Sequence, residues 1–222
     1  MSIADDPGAD RGQKARSAAA SAVRDLCHAL VAHDASDEVL VQVAGAADEA
    51  TRELRRGPRR RRAVLDFSEL TSGASGTAPK AHPMADRAVA GPVNPTSVEI
   101  TVGAEGEEAV AQVWFGPAFE GAPGRVHGGM VAAVFDDVTG FVLAFVGEPA
   151  FTGELAIRYR APVPVETPIE FRARLRQREG RRLVVEAEAC LDGTVLATAE
   201  AVFVVVDQDH FATQARELLD RA

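Results

Sequence analysis

The chain has 222 residues, 33 acidic against 24 basic, for a formal charge of −9. That balance argues against a nucleic-acid backbone as the main partner, which would ask for a surplus of Lys and Arg. Cys27 and Cys190 lie far apart without metal-type spacing, pointing to buried or inert thiols in a reducing compartment; MSIADDPGADRGQK lacks the basic-then-apolar order of a secretory leader, so a cytoplasmic location is expected.

Two helices open the chain. Val23, Leu26, Leu30 and Val31 share one face, and Leu40, Val43, Ala47, Ala50 and Leu54 share the face of a second helix starting at Ser36, with Asp37 and Glu38 in its first turn. Each stripe needs a partner to cover it. In RRGPRRRR (Arg55 to Arg62), Gly57 and Pro58 end the helix and the arginines sit near its negative end. The run reads as a solvated charge cluster or as a basic docking patch. From Ser68 to Pro95 small residues and prolines dominate, and the segment reads as a loop or linker. Its Gly73–Gly76 stretch imitates a nucleophile elbow but has Thr77 where that pattern needs glycine.

After Pro95 the texture becomes alternating. Ser97 to Gly103 and Glu108 to Gly116 read as strands, followed by a Gly/Pro-rich loop and a long apolar segment, Gly124 to Gly147. Four further strand patterns follow, ELAIRYRAP, PIEFRARLRQ, RLVVEAEACL and VLATAEAVFVVV, with hairpin signals at Glu179-Gly180 and Asp192-Gly193. Hairpin turns demand antiparallel neighbours, so the expected class is α+β: an antiparallel sheet wrapped around a long central helix, with an N-terminal helical extension. The expected boundaries are 1–90 for the extension and linker, 91–208 for the sheet-and-helix domain, and 209–222 for a short C-terminal helix.

On a helical wheel, Met130, Val134, Val138, Phe141 and Phe145 form a stripe flanked by Val131 and Val142, which should meet the sheet. Asp136 and Asp137 at its centre argue against a membrane span. The opposite face carries Ala132, Asp136, Thr139, Gly140 and Leu143, small residues with one carboxylate, suited to a second subunit. Gly128 and Gly129 offer unpaired backbone N–H groups to a carbonyl oxygen gaining negative charge. On the residues alone it is equally open that His127 caps or packs, that Gly-Gly is a tight turn, and that Asp136 is an interface carboxylate.

VHGGMVAAVFDD resembles the signature of the hot-dog fold thioesterases, in particular the PaaI-like branch that includes thioesterase superfamily member four. The resemblance rests on His127-Gly128-Gly129, on an acid nine positions after the histidine (Asp136), on Asn94-Pro95, on the Glu120–Gly124 loop, and on Thr152 seven positions before Tyr159. Two departures are Ala122, where the branch has proline, and Gly121, where other branches place an asparagine. The resemblance implies hydrolysis of an acyl thioester, usually of coenzyme A, in a homodimer or dimer of dimers, with no metal and no cofactor beyond the coenzyme A of the substrate. It implies Asp136 as general base or nucleophile, raised in pKa by a partly desolvated site, and Thr152 as its orienting hydroxyl. Gly129 N–H, with Gly128 N–H beside it, would hold the thioester oxygen, while His127 and Asn94 would line the substrate site. Arg172, Arg174, Arg176 and Arg178 alternate with Phe171, Ala173 and Leu175, so Arg174 and Arg176 are candidates for the nucleotide phosphates, or else mark a solvated outer face. Trp114, Phe115 and Phe119 suit an apolar acyl group. Two rivals stand beside hydrolysis: a non-catalytic acyl-CoA or acyl-carrier binding protein, and a hydratase or dehydratase for which His127 is the candidate.

Overall fold

A computed structural model describes residues 7–60, 85–207 and 213, with side chains from residue 11 onward. The elbow-like stretch at Gly73–Gly76, most of the linker and the expected C-terminal helix lie outside the described residues. In chain order come α1 (Pro7–Ala32), α2 (Asp37–Arg56), β1 (Glu99–Glu105), β2 (Glu108–Trp114), β3 (Glu120–Ala122) and β4 (Arg125–Val126). Then follow α3 (Gly128–Phe141), α4 (Leu143–Val146), β5 (Ala150–Tyr159), β6 (Pro168–Glu179), β7 (Arg182–Leu191) and β8 (Thr194–Val205).

The main sheet is antiparallel throughout, in the order β1-β2-β6-β7-β8-β5, while β3 and β4 pair separately just ahead of α3. Its turns follow local chemistry. Asp192 (φ 49°) and Gly193 (φ 77°) are both left-handed, the two-residue hairpin whose twist matches its strands, and Leu191 faces Thr194 across it. Along β7 and β8 the inward positions include Ala187, Ala189, Ala197, Ala199 and Ala201, all buried. These small side chains let a helix lie close across the sheet, and α3 packs on β2, β5, β6, β7 and β8. Phe135 sits edge-on to Phe171 of β6 at 5.0 Å, and both are fully buried. The expected hot-dog arrangement is what the chain adopts.

The helix is rotated from the expected orientation. The residues it buries are Val131, Val134, Phe135, Val138, Thr139 and, just beyond its end, Val142. Met130, Phe141 and Phe145 are only partly buried at the margin. At 3.6 residues per turn this turns the sheet-facing stripe by roughly 60°. The cause is a second neighbour: the segment 85–90 covers the other shoulder, where the Arg87 guanidinium lies 5.1 Å from the Phe141 ring. Thr139, assigned by the wheel to the open face, is buried, its hydroxyl donating to Phe135 O at 2.8 Å. The run Gly128–Val146 is long and apolar enough to cross a membrane by length and composition, but here the sheet covers one side of it.

The N-terminal helices also dock differently from their apolar pattern. α1 buries Ala20, Arg24 and His28, whereas Val23, Leu26, Leu30 and Val31 remain exposed; α2 has no buried residue. Polar anchoring explains the choice of face. Arg24 donates from Nε to Ser97 O (2.7 Å) and from Nη2 to Asn94 O (2.9 Å) and Ser97 Oγ (2.7 Å). Cys27 is exposed and Cys190 half-buried, so of the two expected readings, buried or inert, burial holds for neither.

Candidate active site

His127 is the N-cap of α3, in an extended conformation (φ −59°, ψ 130°). Its backbone N–H donates to Phe119 O at 2.8 Å, and its ring Nδ1 accepts from Gly129 N–H at 3.0 Å. The donor that sequence reasoning gave to a substrate oxygen is therefore held by the adjacent imidazole. No partner for the Gly128 N–H is found among the described residues, so it is the open donor at this helix end. With Nδ1 accepting, a neutral His127 carries its proton on Nε2. Tyr159, at the end of β5, donates its hydroxyl to Gly128 O at 2.7 Å, and burial pushes its phenol up.

Asp136 lies on the exposed side of α3, and the Thr152 hydroxyl donates to its Oδ1 at 2.9 Å. A bulge makes that contact possible. The β5–β8 register shifts between Thr152 and Glu154, leaving Gly153 as the extra residue. Leu155 and Ile157 face the core; counting back by twos from them would send Thr152 to the outer face. The inserted residue reverses the phase, so Ala150 and Thr152 point toward α3. β5 thus touches the helix at two points, Thr152 at Asp136 and Tyr159 at Gly128, and runs antiparallel to it.

Asp137 differs from its neighbour. It accepts a hydrogen bond from the Ala90 backbone and faces Arg87; burial pushes its pKa up, opposed by the Arg87 charge and by the Ala90 N–H. Burial pushes the Arg87 guanidinium down in turn. Asp137 thus ties the segment 85–90 to α3, while Asp136 faces open space with a hydroxyl beside it. The desolvation expected around Asp136 is not supplied by its own chain.

The remaining expected site residues are not gathered here. Asn94 builds a turn: its Oδ1 accepts from the Thr96 N–H (3.0 Å) and hydroxyl (2.8 Å), and its carbonyl receives Arg24. Arg174 and Arg176 stand on the sheet face opposite α3 and are ion-paired, Arg174 with Glu186 at 2.5 Å and Arg176 with Glu200 at 2.6 Å. Arg172 is held by Glu105 (2.8 Å) and Glu170 (2.7 Å). Three residues that pattern reasoning passed over are close to the site: Arg87, Gly153 and His28. Of these only Gly153 carries a readable signal, a glycine immediately ahead of the strand pattern that starts at Glu154.

Residues 123–198 match the thioesterase superfamily model. The mouse (Mus musculus) acyl-coenzyme A thioesterase THEM4 is 33% identical over 92 residues, 40% of this chain and 40% of its own length. The human (Homo sapiens) acyl-coenzyme A thioesterase THEM5 is 30% identical over 101 residues, 45% of this chain and 41% of that one. The chain therefore spans about 40% of the length of the curated relatives it matches. A solved thioesterase superfamily protein is 26% identical, with a TM-score of 0.71 over 85% of this chain and 90% of that one. Such coverage exceeds the segment from β1 to β8, so the likeness extends into the N-terminal helices.

Proposed function

We propose that this chain, a hot-dog member of the thioesterase superfamily related to the PaaI-like branch, hydrolyses acyl thioesters of coenzyme A. The observation that carries the reading is the Thr152 hydroxyl on the Asp136 carboxylate, a polar pair on the exposed side of a mostly apolar helix. The names of the curated relatives support coenzyme A as the thiol.

In this reading the thioester oxygen accepts from the Gly128 N–H at the positive end of α3, where charge developing on oxygen is stabilised. Thr152 occupies Oδ1 of Asp136 and leaves Oδ2 for a water. As general base, Asp136 takes one proton while the water oxygen bonds to the acyl carbon; the C–S bond then breaks and the proton passes to the departing thiolate. As nucleophile, Asp136 itself forms the bond, expels the thiolate and is released by water. Label found in the Asp136 side chain after a single turnover in ¹⁸O-labelled water establishes the second route, with water attacking the Asp136 carbonyl of the acyl-enzyme, whereas the first route puts label only in the released acid.

One chain does not complete this geometry. At a rise of about 1.5 Å per residue, Gly128 and Asp136 stand roughly 12 Å apart along the axis. A carbonyl held by the donor and a water shared with the carboxylate reach only about 7 Å once the attack angle is respected. A second copy resolves the mismatch. Among the described residues β5 is an edge strand paired only with β8, and such an edge invites antiparallel pairing with its own copy. A two-fold axis there would lay two α3 helices side by side in opposite directions, bringing Gly128 of one toward Asp136 of the other. The partner would also cover Asp136 and supply the missing desolvation.

Purified protein incubated with a panel of acyl-CoAs and a thiol-detecting dye tests the reading. Release of free thiol by the wild type and not by Asp136→Asn is the expected result. Binding without release would favour the acyl-CoA or acyl-carrier binding protein, and loss of enoyl-CoA absorbance the hydratase.

A further inference from the structure

We propose that His28, on the N-terminal helix, is a positioning residue for the helix end that receives the substrate oxygen: its ring holds the Pro117–Phe119 turn, and that turn holds His127. The proposal deepens the thioesterase reading and rests on it for its catalytic consequence, though not for the contact itself.

The contacts form a short relay. His28 is 8% exposed, and its Nδ1 accepts from the Ala118 N–H at 3.1 Å. Its ring stands edge-on to Trp114 at 5.6 Å and to Phe119 at 5.3 Å. Gly116 makes the slot: a Cβ there would lie 2.4 Å from the ring, so no other residue admits the imidazole without displacement. Phe119 closes the turn by donating to Gly116 O at 3.0 Å, and its own carbonyl accepts the His127 N–H at 2.8 Å. His127 is followed directly by the open Gly128 donor. Two hydrogen bonds and one tight turn thus connect the extension to the start of α3, across 90 residues between His28 and Ala118.

Packing alone does not account for a histidine at this position. Its Nε2 is buried with no partner among the described residues, a desolvation cost that a leucine or phenylalanine would avoid. What imidazole adds is an acceptor inside an aromatic slot. That acceptor requires a neutral ring, and burial together with Arg24 holds the ring below its usual 6.5, against Glu99, Asp25 and Glu166, which pull it upward. Arg24, one turn earlier, fixes α1 by its bonds to Asn94 and Ser97.

The test uses the full-length protein with His28→Leu and His28→Asn, the asparagine placing an amide oxygen where Nδ1 stands. In His28→Leu we expect kcat for acyl-CoA to fall about 10- to 100-fold with KM within about twofold, because a displacement of order 1 Å at an aligned donor costs that much. His28→Asn should recover most of kcat. Amide exchange over 117–130 should accelerate at least about tenfold in the leucine variant and stay near wild type in the asparagine variant, with β6–β8 unchanged. Acidification below the usual imidazole range should loosen the Ala118 amide, which His28 alone accepts, in wild type but not in His28→Asn. If the wild type cleaves no thioester, the function fails while exchange still decides the relay. Wild-type exchange and kcat in His28→Leu, or equal loss in both variants, would overturn the proposal; should the leucine variant not fold, loss of protection in His28→Asn overturns it alone.

Discussion

Replacing Gly128 by proline would delete one backbone N–H and little else. Gly128 is the first residue of α3, where proline is favoured. His127 before it is already extended at ψ 130°, as a following proline requires. A Cβ at this position would meet the Tyr159 hydroxyl at 3.4 Å, an ordinary contact. Stability should therefore stay within about 1 kcal/mol of wild type. Loss of one aligned donor should lower kcat by roughly 10² to 10³, about 2.7–4 kcal/mol of transition-state stabilisation. The same variant tests the composite site. Asp136→Asn and Gly128→Pro chains, each nearly inactive alone, would reassort into dimers of which about half are mixed, each with one intact site in two, giving about a quarter of wild-type activity. Thiol release from the refolded mixture is the assay. Wild-type turnover in Gly128→Pro would remove that N–H from the mechanism. A mixture no more active than its parents would refute the division of donor and acid between two chains.

Asp136→Asn alone should leave the melting temperature nearly unchanged, since the side chain is exposed and an asparagine still accepts from Thr152, while thiol release falls by at least about 10². Thr152→Val should reduce kcat and Thr152→Ser restore it, which steady-state kinetics would separate. Asp137 should appear in stability rather than turnover. Its folded pKa lies above its ordinary 3.8, so the native state binds the proton more tightly and stability declines as pH rises through the folded pKa. Thermal melts of wild type should show this decline from about 3.8 upward, and melts of Asp137→Asn should lack it. Arg174→Gln with Arg176→Gln should leave KM for acyl-CoA within about twofold, because both arginines are already neutralised by glutamates; a several-fold rise in KM would return them to the phosphate site.

The sheet was legible from alternation and turn residues because each of those signals is local. Asp192-Gly193 specifies its hairpin without reference to any other part of the chain. The helix was legible as an element but not in its rotation, because the segment that covers its second shoulder carries Arg87, and no periodicity announces where a guanidinium will lie. Likewise the pairing of Thr152 with Asp136 depends on a one-residue bulge at Gly153. The strand pattern, starting at Glu154, stopped just short of it. The α1 stripe misled for a related reason: its apolar residues predicted burial, yet Arg24 and His28 make the bonds that orient the helix. Directional polar contacts chose the face, and hydrophobic patterning cannot register them.

The two faces of α3 explain why the acid is where it is. The face carrying Val131, Val134, Phe135, Val138 and Val142 is buried by the sheet and contributes most of the helix's stability. No carboxylate could stand there without a partner, since an isolated buried charge is far costlier than the packing it would replace. A carboxylate proposed to meet water has to lie on the open side, as the exposed Asp136 does. In the proposed dimer, a second copy over the open side would desolvate the acid only after folding has secured each helix, and would deliver the proposed oxygen-binding end of the other helix in the same step. Dimerisation and catalysis would then depend on the same surface. A substitution at Gly140, small, half-buried and one turn from Asp136, by leucine should therefore weaken both together, and a Gly140→Leu protein that became monomeric yet stayed fully active would separate them and defeat the argument.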